Sequence, residues 1–360
     1  MPTKNSDLWN LLDSMKVETR VIGPVQRFLD KEVDGKDRRN DIIHPSELSS
    51  DKWCIRHDYY RISGVPFEPK KIRFGLRNIF DEGHHIHDKW QERLWKMGIL
   101  GGNFKCKLCG FKWDDTSPQQ CPQCLNSVLK YAEVGLYNEE YNIGGHADGR
   151  IDDGADPALL EVKSVAIGTV RFADPGLLRK HTLKVDGRTI VDYEALWKDI
   201  TRPFDSHLRQ INLYMFLSGI HDAVVIYENK VTQAVKEFVI SFTPAIVEPM
   251  LEDALDLGYA LEKSRVPERP TWASEESGEC KKCPFFGVCY EASEASTEPV
   301  GESRGRAART PRRWREAPDD PNRVDRTDRR EPDGDVREPG PLGRLFERAA
   351  GSSGDRGEDR

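Results

Sequence analysis

Asp148, Glu161 and Lys163 carry the most suggestive chemistry in the chain. They lie in Gly145-His146-Ala147-Asp148-Gly149-Arg150-Ile151-Asp152 and Leu159-Leu160-Glu161-Val162-Lys163-Ser164. Both stretches read as strands. Glu161 and Lys163 are two apart on the second, so they share a face. Across a hairpin, Asp148 approaches Glu161. Two carboxylates about 4 Å apart repel by roughly 4 kcal/mol at an effective dielectric near 20. A divalent cation between them removes that cost. Mg²⁺ or Mn²⁺ suits carboxylates, water and a backbone carbonyl, for which Val162 is placed, and it polarises phosphoryl oxygens while activating water. Lys163 is then positioned to orient the attacking water or to stabilise charge on a phosphate. The bland alternative is a surface strand with alternating charges.

The eight cysteines fall into two sets. Cys106-Lys107-Leu108-Cys109 and Cys121-Pro122-Gln123-Cys124 are two knuckles, which together supply the four thiolates of a tetrahedral Zn²⁺ site. The knuckles form a module over residues 103–130 that resembles a zinc ribbon. It is either a structural staple or a guide for a DNA strand, the latter through Lys105, Lys107, Lys112 and Trp113. Cys280, Cys283 and Cys289 form the second set. Three thiolates need a fourth ligand, and Cys54 is the cysteine left over. Four-thiolate ligation suits zinc or an iron–sulfur cluster, and spacing does not choose between them. The absence of a secretory signal makes a reducing cytoplasm the expected compartment, where clustered cysteines bind metal rather than form disulfides.

The elements that must position these groups follow from periodicity and turn signals. Residues 1–43 are expected to be a polar helical segment, anchored by Leu8, Leu11, Leu12, Val25 and Phe28. A short helix carries Trp53, Cys54, Tyr59, Tyr60 and Ile62. A long one runs from about Phe74 to Met97, with Phe80, His84, His87, Gln91 and Leu94 on one face. Strands are predicted at 132–137, 141–152, 158–165, 223–228 and 237–242. Val185-Asp186-Gly187-Arg188 is a hairpin turn. Helices are predicted over 204–217 and from Pro244. This order gives an α/β fold with a mixed sheet flanked by helices.

With these elements in place, the chain resembles the PD-(D/E)xK nuclease superfamily, in its RecB-like branch, which includes the AddB nuclease domain and the CRISPR-associated Cas-four exonucleases. The likeness spans residues 44–290. It rests on the acidic pair with its lysine, on Gly83-His84-His85-Ile86-His87 as a Gly-x-x-x-His helix, and on Gln210-Ile211-Asn212-Leu213-Tyr214 as a Gln-x-x-x-Tyr helix. It implies a restriction-endonuclease-like fold. It also implies that His87 joins Asp148 and Glu161 on the catalytic metal, in preference to His84 or His85. Gln210 and Tyr214 would hold the active site and the DNA strand, although a core role for Tyr214 is the alternative. His146 is either a supporting residue or simply packed. The one-plus-three cysteine layout implies a [4Fe–4S] cluster on Cys54, Cys280, Cys283 and Cys289. DNA over RNA, and exonuclease over endonuclease, come from the resemblance alone.

The resulting expectation is a metal-dependent exonuclease on single strands or DNA ends, in recombination, repair or end processing. Competing readings are a non-catalytic zinc- and cluster-bearing DNA-binding subunit and a structure-specific endonuclease. A net charge of −7 excludes a globally basic nucleic-acid coat, but it leaves room for a positive groove. No apolar run of membrane-spanning length is present. No Gly-x-x-x-x-Gly-Lys phosphate loop occurs either, so a helicase or recombination partner is expected to be a separate chain. A virus-encoded form acting in a host cytoplasm is compatible with this. Residues 291–360 contain 15 Arg, 17 acidic residues and no Lys, with few large apolar side chains. That compositional break predicts a disordered, dispensable tail.

Overall fold

The computed structural model describes residues 20–29, 38–68 and 72–290. The expectations for Leu8, Leu11 and Leu12 and for the tail 291–360 fall outside those residues. Near the start are helices α1 (Ile22–Leu29), α2 (Pro45–Leu48), α3 (Ile55–Ile62) and α4 (Phe74–Met97). Helix α4 ends where Gly98 adopts φ 83° and its N–H returns to the last turn, the left-handed cap that glycine supplies without strain. The buried residues of α4 are Ile86, Gln91 and Leu94. Phe80 and His84, expected on that face, are exposed instead, because packing engages only the later turns of the helix.

A seven-stranded sheet forms the centre. Its strands are β1 (Leu100–Cys106), β2 (Lys112–Thr116), β3 (Leu129–Tyr131), β6 (Gly149–Ile151), β7 (Ala158–Val165), β10 (Asp222–Asn229) and β11 (Val235–Ser241). The order is β11-β10-β7-β6-β1-β2, with β3 also on β1. Strands β7 and β10 are parallel and the remaining pairs antiparallel. The sheet is therefore mixed and flanked by helices, as expected. Two hairpins stand beside it: β4 (Val134–Asn138) with β5 (Ile143–Ala147), and β8 (Thr182–Val185) with β9 (Arg188–Val191). In the second, Asp186 and Gly187 have φ of 49° and 73°, the twist a two-residue hairpin turn requires.

One difference concerns the cysteine module. Its first strand, β1, is not set apart from the sheet. Leu100 and Gly101 pair with Ile151 and Arg150 of β6, while the far end of β1 carries Cys106. The knuckles thus hang from a strand of the central sheet.

Strand β7 is the axis of the core. Leu160 and Val162 face Ile86 and Leu94 of α4 together with Leu100 and Ile226. Leu159 and Val165 face the opposite layer, where α8 (Asp205–Ser218) contributes Ile211, Tyr214 and Met215. Parallel pairing of β7 with β10 demands a crossover. The connecting chain holds α5 (Ile167–Ala173), α6 (Pro175–Lys180), the β8–β9 hairpin, α7 (Tyr193–Asp199) and α8. A third cluster joins α2, α3, Leu213 of α8, and α9 (Pro244–Glu262) to Phe285. Two short helices close the described chain, α10 (Gly278–Lys281) and α11 (Phe286–Tyr290). Among the described residues no helix is long and apolar enough to cross a membrane.

Candidate active site

The predicted strand 141–152 is interrupted at Asp148, and this break builds the site. Ala147 pairs with Val134 of β4, whereas Gly149 pairs with Leu160 of β7. The chain changes partner at Asp148, and the sheet splits there. Continuing the β6–β7 register by one residue sets Asp148 opposite Glu161. Gly149 must follow, because a Cβ there would lie 2.9 Å from Leu100 Cδ1 and 3.1 Å from the Tyr131 hydroxyl. With the ladder broken, the Asp148 side chain takes over. Its Oδ2 accepts from the backbone N–H of Val162 at 2.6 Å. Its Oδ1 lies 3.0 Å from His87 Nδ1. A proton on Nδ1 donated to that oxygen leaves Nε2 with a free lone pair, the arrangement a metal-binding imidazole uses.

Glu161 and Lys163 project to the α8 side of β7. Lys163 Nζ lies 2.6 Å from Glu161 Oε1 and donates to Gln210 Oε1 at 2.9 Å. Gln210 Nε2 in turn donates to the Tyr214 hydroxyl at 3.0 Å. The four-residue spacing on α8 puts both on one helical face, so a continuous chain runs from Glu161 to Tyr214. The other oxygen, Glu161 Oε2, is buried and has no hydrogen-bond partner among the described residues. A buried carboxylate oxygen left in this state is costly unless protonated or bound to a cation. Burial accordingly pushes Glu161 up to about 7; Lys163 opposes that shift and Asp148 adds to it. Lys163 is raised although burial works against it, because Glu161 and Asp148 favour the ammonium. His87 is raised in the same way: desolvation is outweighed by Asp148. The donor set fits a divalent cation, with an orphaned buried oxygen beside a second carboxylate and an imidazole. His87 meets Asp148 directly, but the three groups are not gathered as tightly as the cysteine sulfurs described below.

Three contributors lay outside the sequence reading of chemistry. Gln91 is buried one turn beyond His87, and its Nε2 donates to the Asp148 carbonyl at 2.9 Å. Its i,i+4 spacing from His87 was the available signal. Glu133 has φ 59°, rare for a residue with a Cβ. Its carboxyl is raised by burial and by Asp148, and Gln91 bonds to it. Glu228 of β10 is buried and receives Trp90 Nε1 at 2.8 Å as well as Lys89 Nζ. It locks α4 onto the sheet beside His87. His84 and His85 are exposed, and His85 bonds back to its own helix at Asp81. His146 is exposed next to Gly135 on β4.

The four sulfurs of Cys106, Cys109, Cys121 and Cys124 all lie within 4.8 Å of one another, the one such metal-competent group among the described residues. Two of the separations are 3.5 Å, Cys106 to Cys124, and 3.7 Å, Cys109 to Cys121. Zn–S bonds of about 2.3 Å in a tetrahedron set sulfurs at about this spacing. Backbone N–H groups of Cys109 and Leu108 help to draw Cys106 down to about 6. Cys124 is pushed up to about 12 in spite of the Asn126 N–H, by desolvation and by the other sulfurs. Four thiolates cannot coexist here without a cation. In the second set, Cys54 is close enough to Cys283 and Cys289 to feel their charge, but the four sulfurs do not gather as tightly as the first set. Cys54 caps α3, and its thiol is raised by burial and by the nearby Cys283 and Cys289. Arg56 donates to Cys289 Sγ at 3.4 Å, and the Tyr290 hydroxyl to Cys280 Sγ at 3.6 Å. Phe285 packs against His57, Tyr60 and Phe67, which ties this end of the chain to α3.

No family model matches the chain, and no curated protein does. Among solved structures it is similar to SSO0001, at 14% identity and TM-score 0.32, covering 74% of this chain and 92% of that one. It is also similar to LHK-Exo, an alkaline exonuclease from Laribacter hongkongensis, at 12% identity and TM-score 0.36, with coverage of 63% and 90%. The complex of LHK-Exo with dAMP matches at 10% identity and TM-score 0.34, with coverage of 62% and 90%.

Proposed function

We propose that this chain is a metal-dependent deoxyribonuclease that hydrolyses phosphodiester bonds, an exonuclease on single strands or DNA ends serving recombination, repair or end processing. The observation that carries the reading is the buried, unpartnered Glu161 Oε2 opposite Asp148 at the split in the sheet. His87, Asp148, Glu161 and the Val162 carbonyl would hold Mg²⁺ or Mn²⁺. When bound, such an ion polarises the phosphoryl oxygen and lowers the pKa of a water. Lys163, held charged by Glu161 and Asp148, acts as a cation and donor to the phosphate and not as a base. Gln210 keeps Lys163 and Tyr214 in a fixed relation. Gln91 and Glu228 fix α4 and Asp148. The nuclease domain is assigned to residues 44–290, with 1–43 as an N-terminal segment, 103–130 as its zinc ribbon and 291–360 as a tail. Zn²⁺ belongs to the Cys106 set. A [4Fe–4S] cluster is assigned to Cys54, Cys280, Cys283 and Cys289, a reading supported by the influence of Cys283 and Cys289 on the half-buried Cys54 thiol at the start of α3.

The test incubates end-labelled linear and circular single strands with the full chain in Mg²⁺ or Mn²⁺, alongside Asp148→Ala. Linear strands shorten with wild type only, and circles persist. Intact linear strands in both metals, or full activity in the variant, would refute a nuclease. Cutting of circles would replace the exonuclease by an endonuclease.

A further inference from the structure

A cleft of about 560 Å³ has Tyr214 among its lining residues, and through Tyr214 it adjoins Gln210 of the candidate site. Arg38, Arg39, Tyr137 of β4 and His146 of β5 line it together. Two consecutive glycines of β5, facing opposite sides of the strand, are part of its lining. A Cβ on Gly144 would come within 2.9 Å of the Tyr137 ring, and one on Gly145 within 3.3 Å of the Tyr214 ring. Without side chains there, the Tyr137 ring lies close against one face of β5 and the Tyr214 ring against the other.

We infer that this cleft binds the single-stranded segment of a nucleic acid that leads to Asp148 and Glu161. The inference rests on the nuclease reading for its substrate, but on separate residues. The volume lies within the range of about 300–1,000 Å³ typical of ligand clefts, which suits a nucleotide or two of a strand and not a duplex. The chemistry is that of a strand groove: cations for phosphates beside an exposed aromatic face for bases. Tyr137 is 49% exposed and is oriented by a 3.0 Å hydrogen bond from its hydroxyl to Asn142. The Arg39 guanidinium lies 5.2 Å from its ring centroid. Arg38 and Arg39 are held by Glu47 and Asp41, at 2.7 and 2.6 Å. Both pairs are solvent-exposed, and such pairs are weak, so phosphate can compete for the guanidinium groups. Tyr214 also lines the cleft, and its hydroxyl accepts from Gln210. Gln210 also accepts from Lys163. A strand in the cleft is thereby coupled to the lysine that faces the acidic pair.

Binding is measured by the anisotropy of a fluorescein-labelled oligothymidine with the full chain in EDTA, where a metal-dependent enzyme cannot cut. Tyr137→Ala is expected to weaken binding about tenfold, while Tyr137→Phe, which keeps the ring, binds nearly as wild type. Replacing both Arg38 and Arg39 by alanine should reduce the slope of log affinity against log salt by about 1.4, or about 0.7 for each phosphate that is no longer neutralised. A merely misfolded variant would lose binding without that defined change of slope. The matching duplex should bind more weakly than the single strand, and dTMP should compete poorly. Wild-type affinity and slope in these variants, with Asp148-dependent cutting intact in Mg²⁺, would overturn the cleft and leave the nuclease. Cleft-dependent binding without any cutting would sink the nuclease and leave the cleft. Equal competition by dTMP would reduce the site to a mononucleotide pocket and so refute a strand path.

Discussion

Replacing Glu161 by glutamine keeps the side chain's shape and removes its charge. Burial raises the Glu161 carboxyl from 4.5 to about 7, with Lys163 opposing and Asp148 contributing. A carboxyl whose folded-state pKa lies above its unfolded value binds its proton more tightly when folded. Its stabilising contribution is therefore complete below about pH 4.5 and is lost as pH rises through about 7. The gap, at about 1.4 kcal/mol per pH unit, amounts to about 3 kcal/mol by pH 8. That shift already includes the opposing pull of Lys163 at 2.6 Å, so the advantage of Glu161→Gln at pH 8 is at most about 3 kcal/mol. For a folded body of this size each kcal/mol moves Tm by about 2–4 °C. Thermal melts in EDTA should thus show the two proteins nearly equal at pH 5 and the variant more stable at pH 8. Adding Mn²⁺ should reverse the order at pH 8, since the ion binds the carboxylate and stabilises only the state that holds it. Wild type equal to or above the variant at pH 8 in EDTA would refute the reasoning. So would equal stabilisation of both by Mn²⁺.

Three further outcomes follow from the same geometry. Gln91→Leu removes the bond to the Asp148 carbonyl, and strand cleavage should fall about 10- to 100-fold, with a weaker Mn²⁺ titration and a change in Tm of only a few degrees. Cys280→Ala should lower Tm and single-strand affinity while leaving Mn²⁺ affinity at the Glu161 site unchanged by calorimetry; unchanged melting would contradict a bound cluster. Cys121→Ala should lose one zinc per chain by elemental analysis, because one sulfur leaves a cage whose members all lie within 4.8 Å.

Much of the fold was legible because its signals are local. The strand at 158–165 and the helix from Phe74 to Met97 were read with the boundaries they have, since both are long and bounded by clear turn residues. The Asp186-Gly187 turn was equally readable from its chemistry. Less legible was the partner change at Asp148. Alternation along 141–152 looks continuous, and only the competition between β4 and β7 for that chain shows where it breaks. Pairing is non-local, and no pattern within one strand records it. For the same reason β1 read as part of a separate module, although Leu100 and Gly101 bind it into the sheet. Gln91 and Glu228 were missed because their value lies in what they hold, across 57 and 138 residues respectively.

The split in the sheet also explains why the acidic pair could be read from sequence while its supports could not. An unbroken ladder would bind Val162 N–H to a backbone carbonyl and leave Asp148 facing outward as one more strand residue. Because the ladder opens instead, that N–H binds the Asp148 side chain, and both carboxylates are drawn into a place that water scarcely reaches, with Asp148 7% and Glu161 3% exposed. Two carboxylates so placed are stable only with compensating charge. Lys163 and His87 each meet one of them, yet Glu161 Oε2 remains unpaired among the described residues. With His87 Nδ1 donating to Asp148 and Lys163 shared between Glu161 and Gln210, that oxygen is the contact a bound divalent ion would complete.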